Sequence, residues 1–369
     1  NQGGNALWGA AAQVTQSLSI QKGVNTIQFG AQGGKTFVVG GTFTANPPAT
    51  ASSGLAVIYT STTPTVCTVA GTTVVMVNAG TCTLAANQAG DGNWNAATQV
   101  TQNVVIGRGA NPITFPPQPG QTFTSGGSFA IQPPATAASN LPVTYSSTTQ
   151  AVCTVSGATV SMLAAGTCTL AANQAGDSNW AAATQVTQNV VIGKATNTIS
   201  FPAQAGQTFT SGGRFAIAPL ATASSNLPVT YSSTTPAVCT VAGTTVTVVS
   251  AGTCTVAADQ AGDANWAAAA QALQNVAIGK GSNPIAFPAQ AARVYVSGGT
   301  FAISPVATAA SGLAVSYSSL ATAVCTVTGS TVTIVSAGTC TVAADQAGDA
   351  NWAAAIDATI GRATGRAGE

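Results

Sequence analysis

The sequence predicts an all-β protein: four tandem antiparallel β-sandwiches of about seven strands each, one for every 86-residue repeat. Three observations predict it. The cysteines stand at 67, 153, 239 and 325 and again at 82, 168, 254 and 340, and the tryptophans Trp8, Trp94, Trp180, Trp266 and Trp352 keep the same step. A fixed period without drift marks one structural unit copied in tandem. Inside each period short β-branched runs alternate with turn residues, as a sandwich requires. Charged residues make up only 5% of the chain, against about 25% in ordinary globular domains, so solubility rests on Thr, Ser, Asn, Gln and Gly.

The repeat boundaries follow from the period. Residues 1–23, NQGGNALWGAAAQVTQSLSIQKG, match only the tail of a repeat, NQAGDGNWNAATQVTQNVVIGRG at 87–109. They read as the orphan terminal strand of a preceding repeat, or as a donor strand. Repeats follow at 24–109, 110–195, 196–281 and 282–369, the last with a shortened final strand. The joints Lys22-Gly23, Arg108-Gly109, Lys194-Ala195 and Lys280-Gly281 are too short for independent tumbling, which predicts a semi-rigid rod. The chain opens on Asn1 with no signal-type segment, which reads as a trimmed precursor.

Within repeat 3 the elements come in order. Ile199-Ser200-Phe201 alternates and stops at Pro202; Phe209 leads into a turn at Ser211-Gly212-Gly213; Phe215-Ala216-Ile217 follows. Val229-Thr230-Tyr231, Cys239-Thr240-Val241, Val246-Thr247-Val248-Val249, Cys254-Thr255-Val256 and residues 271–278 complete seven runs. The four alanines at 267–270 are the one helix-like word, and four alanines do not hold a helix unaided. Period-2 alternation places Val246 and Val248 on one face, with Val74/Met76, Val160/Met162 and Val332/Ile334 as their equivalents. The same parity turns Cys239 with Val241, and Cys254 with Val256, toward the core. Phe29, Phe115, Phe201 and Phe287 open each repeat in an alternating strand and are expected in the core.

Eight cysteines in four equal pairs, each 15 positions apart, predict the disulfides Cys67–Cys82, Cys153–Cys168, Cys239–Cys254 and Cys325–Cys340 and an oxidising compartment. Zinc would need two more ligands per pair, and the chain has no histidine. A bridge closing a loop of about 15 residues is worth roughly 3 kcal/mol in the chain-entropy account, a large contribution for a small, alanine-rich core.

The pattern V-T-Y-S-S-x-x-P-A-V-C-T-V, then G-T-x-T-V, then A-G-T-C-T-V-A-A, carried by residues 229–233, 236–241, 243–246 and 251–258 with equivalents in every repeat, resembles the group 2 bacterial immunoglobulin-like (Ig-like) domains. Such domains recur in the stalks of intimin- and invasin-like adhesins and in other bacterial surface proteins. The resemblance spans essentially the whole chain and implies tandem Ig-like sandwiches at a bacterial cell exterior. The family usually carries small apolar residues where Cys239 and Cys254 stand, and often Trp where Tyr231 stands, so the disulfide is an addition to its pattern. A barrel anchor and a lectin-like tip have no counterpart in these residues.

Functional constellations are sparse. The absence of histidine removes Ser-His-Asp and Cys-His catalysis. Only Asp259/Asp263 and Asp345/Asp349 pair carboxylates closely, and Asn87 and Asn173 replace the first member in the earlier repeats, so no catalytic site and no cofactor are expected. A net charge of +1 argues against nucleic acid, and no apolar run is long enough to insert in a membrane. The word Asn-Gln-Ala-Gly-Asp-x-Asn-Trp has too few carboxylates for calcium; Asp91, Asp177, Asp263 and Asp349 are expected to hold turns through backbone N–H groups. The periodic Trp is expected to fill the core or seal a joint, with sugar stacking as the alternative. Arg214 and Arg293 read as surface charges.

The two ends complement each other. Residues 9–21, with Gln13, Val14, Leu18 and Ile20, read as a good terminal strand without a domain; Ile356, Ala358 and Ile360 lie in a short, charged last strand whose sheet edge is open. Strand addition between copies would repeat head to tail as a fibre, while the rival reading is a window cut from a longer array. The expectation is a non-enzymatic extracellular structural protein, a stalk or filament subunit whose partners are copies of itself; the alternative is an adhesin engaging surface glycan or protein through its loops.

Overall fold

A computed structural model describes residues 1–359 and 363–364, and every regular element among them is a strand. Residues 1–193 form one compact unit and residues 194–369 a second, each holding two repeats.

Repeat 1 sets the pattern with nine strands: β1 (Ile27–Gln28), β2 (Lys35–Thr36), β3 (Thr42–Thr44), β4 (Thr50–Ala51), β5 (Ile58–Ser61), β6 (Cys67–Ala70), β7 (Thr73–Met76), β8 (Gly80–Asn87) and β9 (Val100–Gly107). One sheet has the order β2-β9-β8-β5, a second β3-β7-β6, and β1 pairs with β4 in a short ribbon. The long strands β8 and β9 pair antiparallel from Gly80↔Ile106 to Ala86↔Val100. Alternation along β9 decides its faces: Val104 and Ile106 are buried, while Val105 between them is 60% exposed. The inner faces meet over Phe29, Phe37, Val74, Met76, Leu84, Val104 and Ile106. Phe29 leans on Tyr59, with ring centroids 5.6 Å apart, and the Tyr59 hydroxyl accepts the Ala49 N–H. A tyrosine thus contributes apolar area without leaving its polar tip unpaired.

The cysteines sit on opposite sheets, on β6 and β8, and their bond ties the layers together. The Cα separations are 5.6 Å for Cys67–Cys82, 5.7 Å for Cys153–Cys168, 5.6 Å for Cys239–Cys254 and 5.6 Å for Cys325–Cys340, in the usual range for a bridge.

In repeat 3 the seven runs read from sequence are strands, and two further two-residue strands join them, Gln207–Thr208 and Thr222–Ala223. Gln207–Thr208 departs from the antiparallel expectation: it runs parallel to the last strand, with Gln207 opposite Ile278. The opening strand stops before Pro202, and the chain resumes on the edge of the other sheet; repeat 1 makes the same crossover with Gly30 at that position. The alanines at 267–270 form no helix.

Repeat 4 differs at its end. Two pieces of its last strand are described, Ala355–Thr359 on Val342–Gln346 and Ala363–Thr364 on Thr339–Cys340, with a register shift at Ala344/Gln346. Ile356 and Ala358 lie in the first piece; Ile360 falls outside the described residues. Arg293-Val294, which match Lys35–Thr36, form no strand. Tyr295 is 43% exposed, whereas its counterparts Phe37, Phe123 and Phe209 are 4%, 6% and 6% exposed.

Candidate functional site at the tryptophan loops

The recurring polar constellation is the loop between the two longest strands of each repeat. In repeat 2 it starts at Gln174, where Oε1 accepts hydrogen bonds from the buried Asn111 side chain and from the Gly176 N–H. Gly176 takes φ +73°, where a Cβ would run into the Trp180 carbonyl and the backbone after it. Asp177 Oδ1 then accepts the N–H groups of Asn179 and Trp180, both at 2.8 Å. The same carboxylate turn holds at Asp91, Asp263 and Asp349. Each aspartate is thereby committed to its own backbone.

What the loop presents is a tryptophan and the asparagine before it. The Trp180 ring meets the core of repeat 1 edge-on, 5.8 Å from Phe37 at an interplanar angle of 85°. The Gly109 N–H donates to the Asn179 carbonyl and Ala181 N–H donates to the Gly109 carbonyl. The Asn179 side chain accepts the Ala79 N–H at 2.8 Å and donates to Asn78 Oδ1 at 2.9 Å. A ring and four hydrogen bonds thus fix repeat 2 to repeat 1. The second unit repeats the arrangement between its own two repeats: Trp352 stands 5.4 Å from Phe209 at 89°, and Asn351 Oδ1 accepts the Ala251 N–H.

Trp94 folds over Gly23 in the same way, with the Gly23 N–H on the Asn93 carbonyl and the Lys22 ammonium on the Asp91 carbonyl. Trp266 is paired with Ala195. These four rings are partly buried; Trp8 is 76% exposed and pairs with Asn5. Gln13, Val14, Leu18 and Ile20 belong to no strand and are exposed, the last three at 87%, 86% and 89%.

Asp259 accepts the Gln271 side chain, and Asp263 and Asp349 hold turns. Among the described residues no three His, Cys, Asp or Glu side chains cluster to hold a metal. Phe29, Phe115, Phe201 and Phe287 are core residues, 5–8% exposed. Arg214 lies exposed on an edge strand, and Arg293 stands over the Phe301 ring at 5.1 Å.

Two sets of residues escape the sequence reading. The pairs Asn25–Gln88, Asn111–Gln174, Asn197–Gln260 and Asn283–Gln346 are buried and link the opening of each repeat to its tryptophan loop. Asn179 and Asn351, which precede tryptophans, reach the neighbouring repeat. Both sets keep the 86-residue step, and an Asn and a Gln repeated in apolar surroundings are the signal that could have found the first.

Compared with known proteins, the chain matches no family model and no curated protein. Solved structures with a similar arrangement include Drosophila N-cadherin EC1-4 (10% identity, 83% of this chain and 91% of that one, TM-score 0.24). Sidekick-1 immunoglobulin domains 1-5 match at 12% identity over 93% of this chain and 81% of that one, with TM-score 0.30. Surface layer protein SbsC, domains 1-6, matches at 13% identity over 85% of this chain and 50% of that one, with TM-score 0.21. The strand order, the two facing sheets and the bridge between them identify the chain, on its own geometry, as an all-β array of tandem Ig-like sandwiches.

Proposed function

We propose that this chain is a non-enzymatic structural protein of the bacterial cell exterior, a tandem Ig-like stalk or filament subunit whose copies associate head to tail by strand donation. The observation that carries the reading is the use made of the tryptophan loop. Its carboxylate binds its own backbone, its asparagine binds the preceding repeat, and its ring covers that repeat's core. The most elaborate constellation in the repeat is a fastening between neighbours. The inter-sheet disulfides support an oxidising, extracellular setting, and the group 2 motif supports a bacterial one.

The alternative, a module binding glycan or another surface, draws on aromatic rings open to solvent. Trp180 and Trp352 face a neighbouring repeat instead, which favours the structural reading. The test is Trp180→Ala in the full chain. Small-angle scattering should show a wider spread of conformations, with unchanged β content by circular dichroism and no saccharide bound by the parent on a glycan array. A specific saccharide bound by the parent and lost in the variant, with scattering unchanged, would overturn the proposal in favour of the adhesin.

A further inference from the structure

We infer that the joint seen inside each unit recurs between molecules: the Trp94 loop of one copy docks onto repeat 4 of another while residues 13–23 complete that repeat's last strand. The inference rests on the self-association proposed above and gives it a surface, a register and a plug.

The donor is one pre-assembled piece. Gly23 donates to the Asn93 carbonyl and accepts from the Asn95 N–H, so residues leading to Gly23 are tied to Trp94. Residues 99–109 are tied to Trp180 through Gly109 in the same manner. The two pieces match in sequence as well: Val14, Gln16, Leu18 and Ile20 correspond to Val100, Gln102, Val104 and Ile106. In the second piece Val104 and Ile106 are buried at 0% and 1% exposure, and the Gln102 side chain donates to the Phe29 carbonyl. The first piece has the same alternation, and its Leu18 and Ile20 stand open to solvent among the described residues.

The acceptor is repeat 4. Its resident last strand sets Ala363 opposite Cys340 and Thr364 opposite Thr339, where repeat 1 sets Val104 opposite Cys82 and Val105 opposite Thr81. Among the described residues no parallel strand covers it, and Tyr295 is half-exposed. A small cavity of about 30 Å³ opens between Arg293, Tyr295, Phe301, Val324, Ile334 and Ala337. Tyr295, Ser336 and Ala337 correspond to Phe37, Asn78 and Ala79, the residues that receive Trp180 and Asn179.

Superposing the two patterns fixes the register. Leu18 comes opposite Cys340 and Ile20 opposite Gly338, displacing residues 363–364; Trp94 meets Tyr295, and Asn93 Oδ1 receives the Ala337 N–H. Placing Leu18 where Ala363 stands opposite Cys340, and adding Ile20 opposite Gly338, brings apolar area to the core edge and drives the substitution, and ladder hydrogen bonds hold it. Because donor and acceptor surfaces differ, the contact leaves one of each free and propagates.

Sedimentation velocity on the 369-residue chain tests this. Association should rise with concentration beyond a dimer, and Leu18→Asp with Ile20→Asp should leave a monomer. Trp94→Ala should weaken association about tenfold or more, Trp94→Phe should restore most of it, and Trp8→Ala should change nothing. Trp94 lies in repeat 1, so its loss does not compromise the folding of the acceptor. Assembly abolished by the Leu18/Ile20 pair yet indifferent to Trp94→Ala would overturn the docking inference while strand donation stands. A chain that stays monomeric at millimolar concentration would overturn both.

Discussion

Asp177 shows how much of the fastening rests on a single side chain. Its carboxylate holds the two N–H groups that aim Trp180, so Asp177→Ala leaves both without an acceptor and should cost about 1 kcal/mol locally. That is about fivefold faster hydrogen exchange at the Trp180 amide; Asp177→Asn, which keeps an acceptor oxygen, should fall between. An unchanged exchange rate in the alanine variant would remove the aspartate from the account. Gly109 supplies a graded counterpart. A Cβ there would come within 2.9 Å of the Trp180 ring and 2.7 Å of the Phe37 carbonyl, yet Ala195 occupies the same position in the next repeat and is 6% exposed. Gly109→Ala should therefore be tolerated, with a small shift of Trp180 fluorescence and a loss below about 2 kcal/mol. The turn role of the aspartates was legible, because a lone Asp followed by x-Asn-Trp has a local backbone use. The partner of Asn179 was not, because Asn78 and Ala79 lie about a hundred positions away in a loop with no pattern of its own.

The individual strands are short, so each depends on what lies across the sandwich. Cys153 and Cys168 are both fully buried and join the two sheets of repeat 2. Replacing the pair by Ala in the full chain should lower the stability of that repeat by about 3 kcal/mol. For a domain of this size the corresponding fall in its melting transition is about 10 °C or more. Calorimetry should show one transition moving while the others stay; an unmoved thermogram would mean that the bridge is incidental. Period and parity made the disulfides and the seven principal runs readable. The strands Lys35–Thr36 and Gln207–Thr208 were hidden for a physical reason: two residues carry no period, and their parallel pairing is set by the far end of the repeat. The buried Asn111–Gln174 pair was hidden differently, since burial of an amide is a property of the packed state and not of its immediate neighbours in the chain.

At the scale of the whole molecule the four repeats are near-copies in sequence, and their differences decide where the chain opens first. In repeats 1 and 3 the last strand is continuous, a parallel strand covers its edge, and a phenylalanine seals the end of the core under the next repeat's tryptophan. Repeat 4 has none of these among the described residues. Ala355–Thr359 pairs with a register shift at Ala344/Gln346, no parallel strand is described at its edge, and Tyr295 stands 43% exposed. Its disulfide is also the least covered, with Cys340 at 5% exposure against 0% for Cys82, Cys168 and Cys254. Buried bridges exchange only when the structure around them opens, so the order of reduction reports the order of local opening. Under mild reductant without denaturant, Cys325 and Cys340 should be alkylated first and the other three pairs together, at a clearly slower rate, as mapped by peptide mass spectrometry. If copies dock as inferred, raising the protein concentration should slow the labelling of Cys325 and Cys340 and leave the others unchanged. Leu18→Asp with Ile20→Asp should abolish that protection. Simultaneous labelling of all four bridges would mean that repeat 4 is as closed as its neighbours, and the acceptor edge would lose its physical basis.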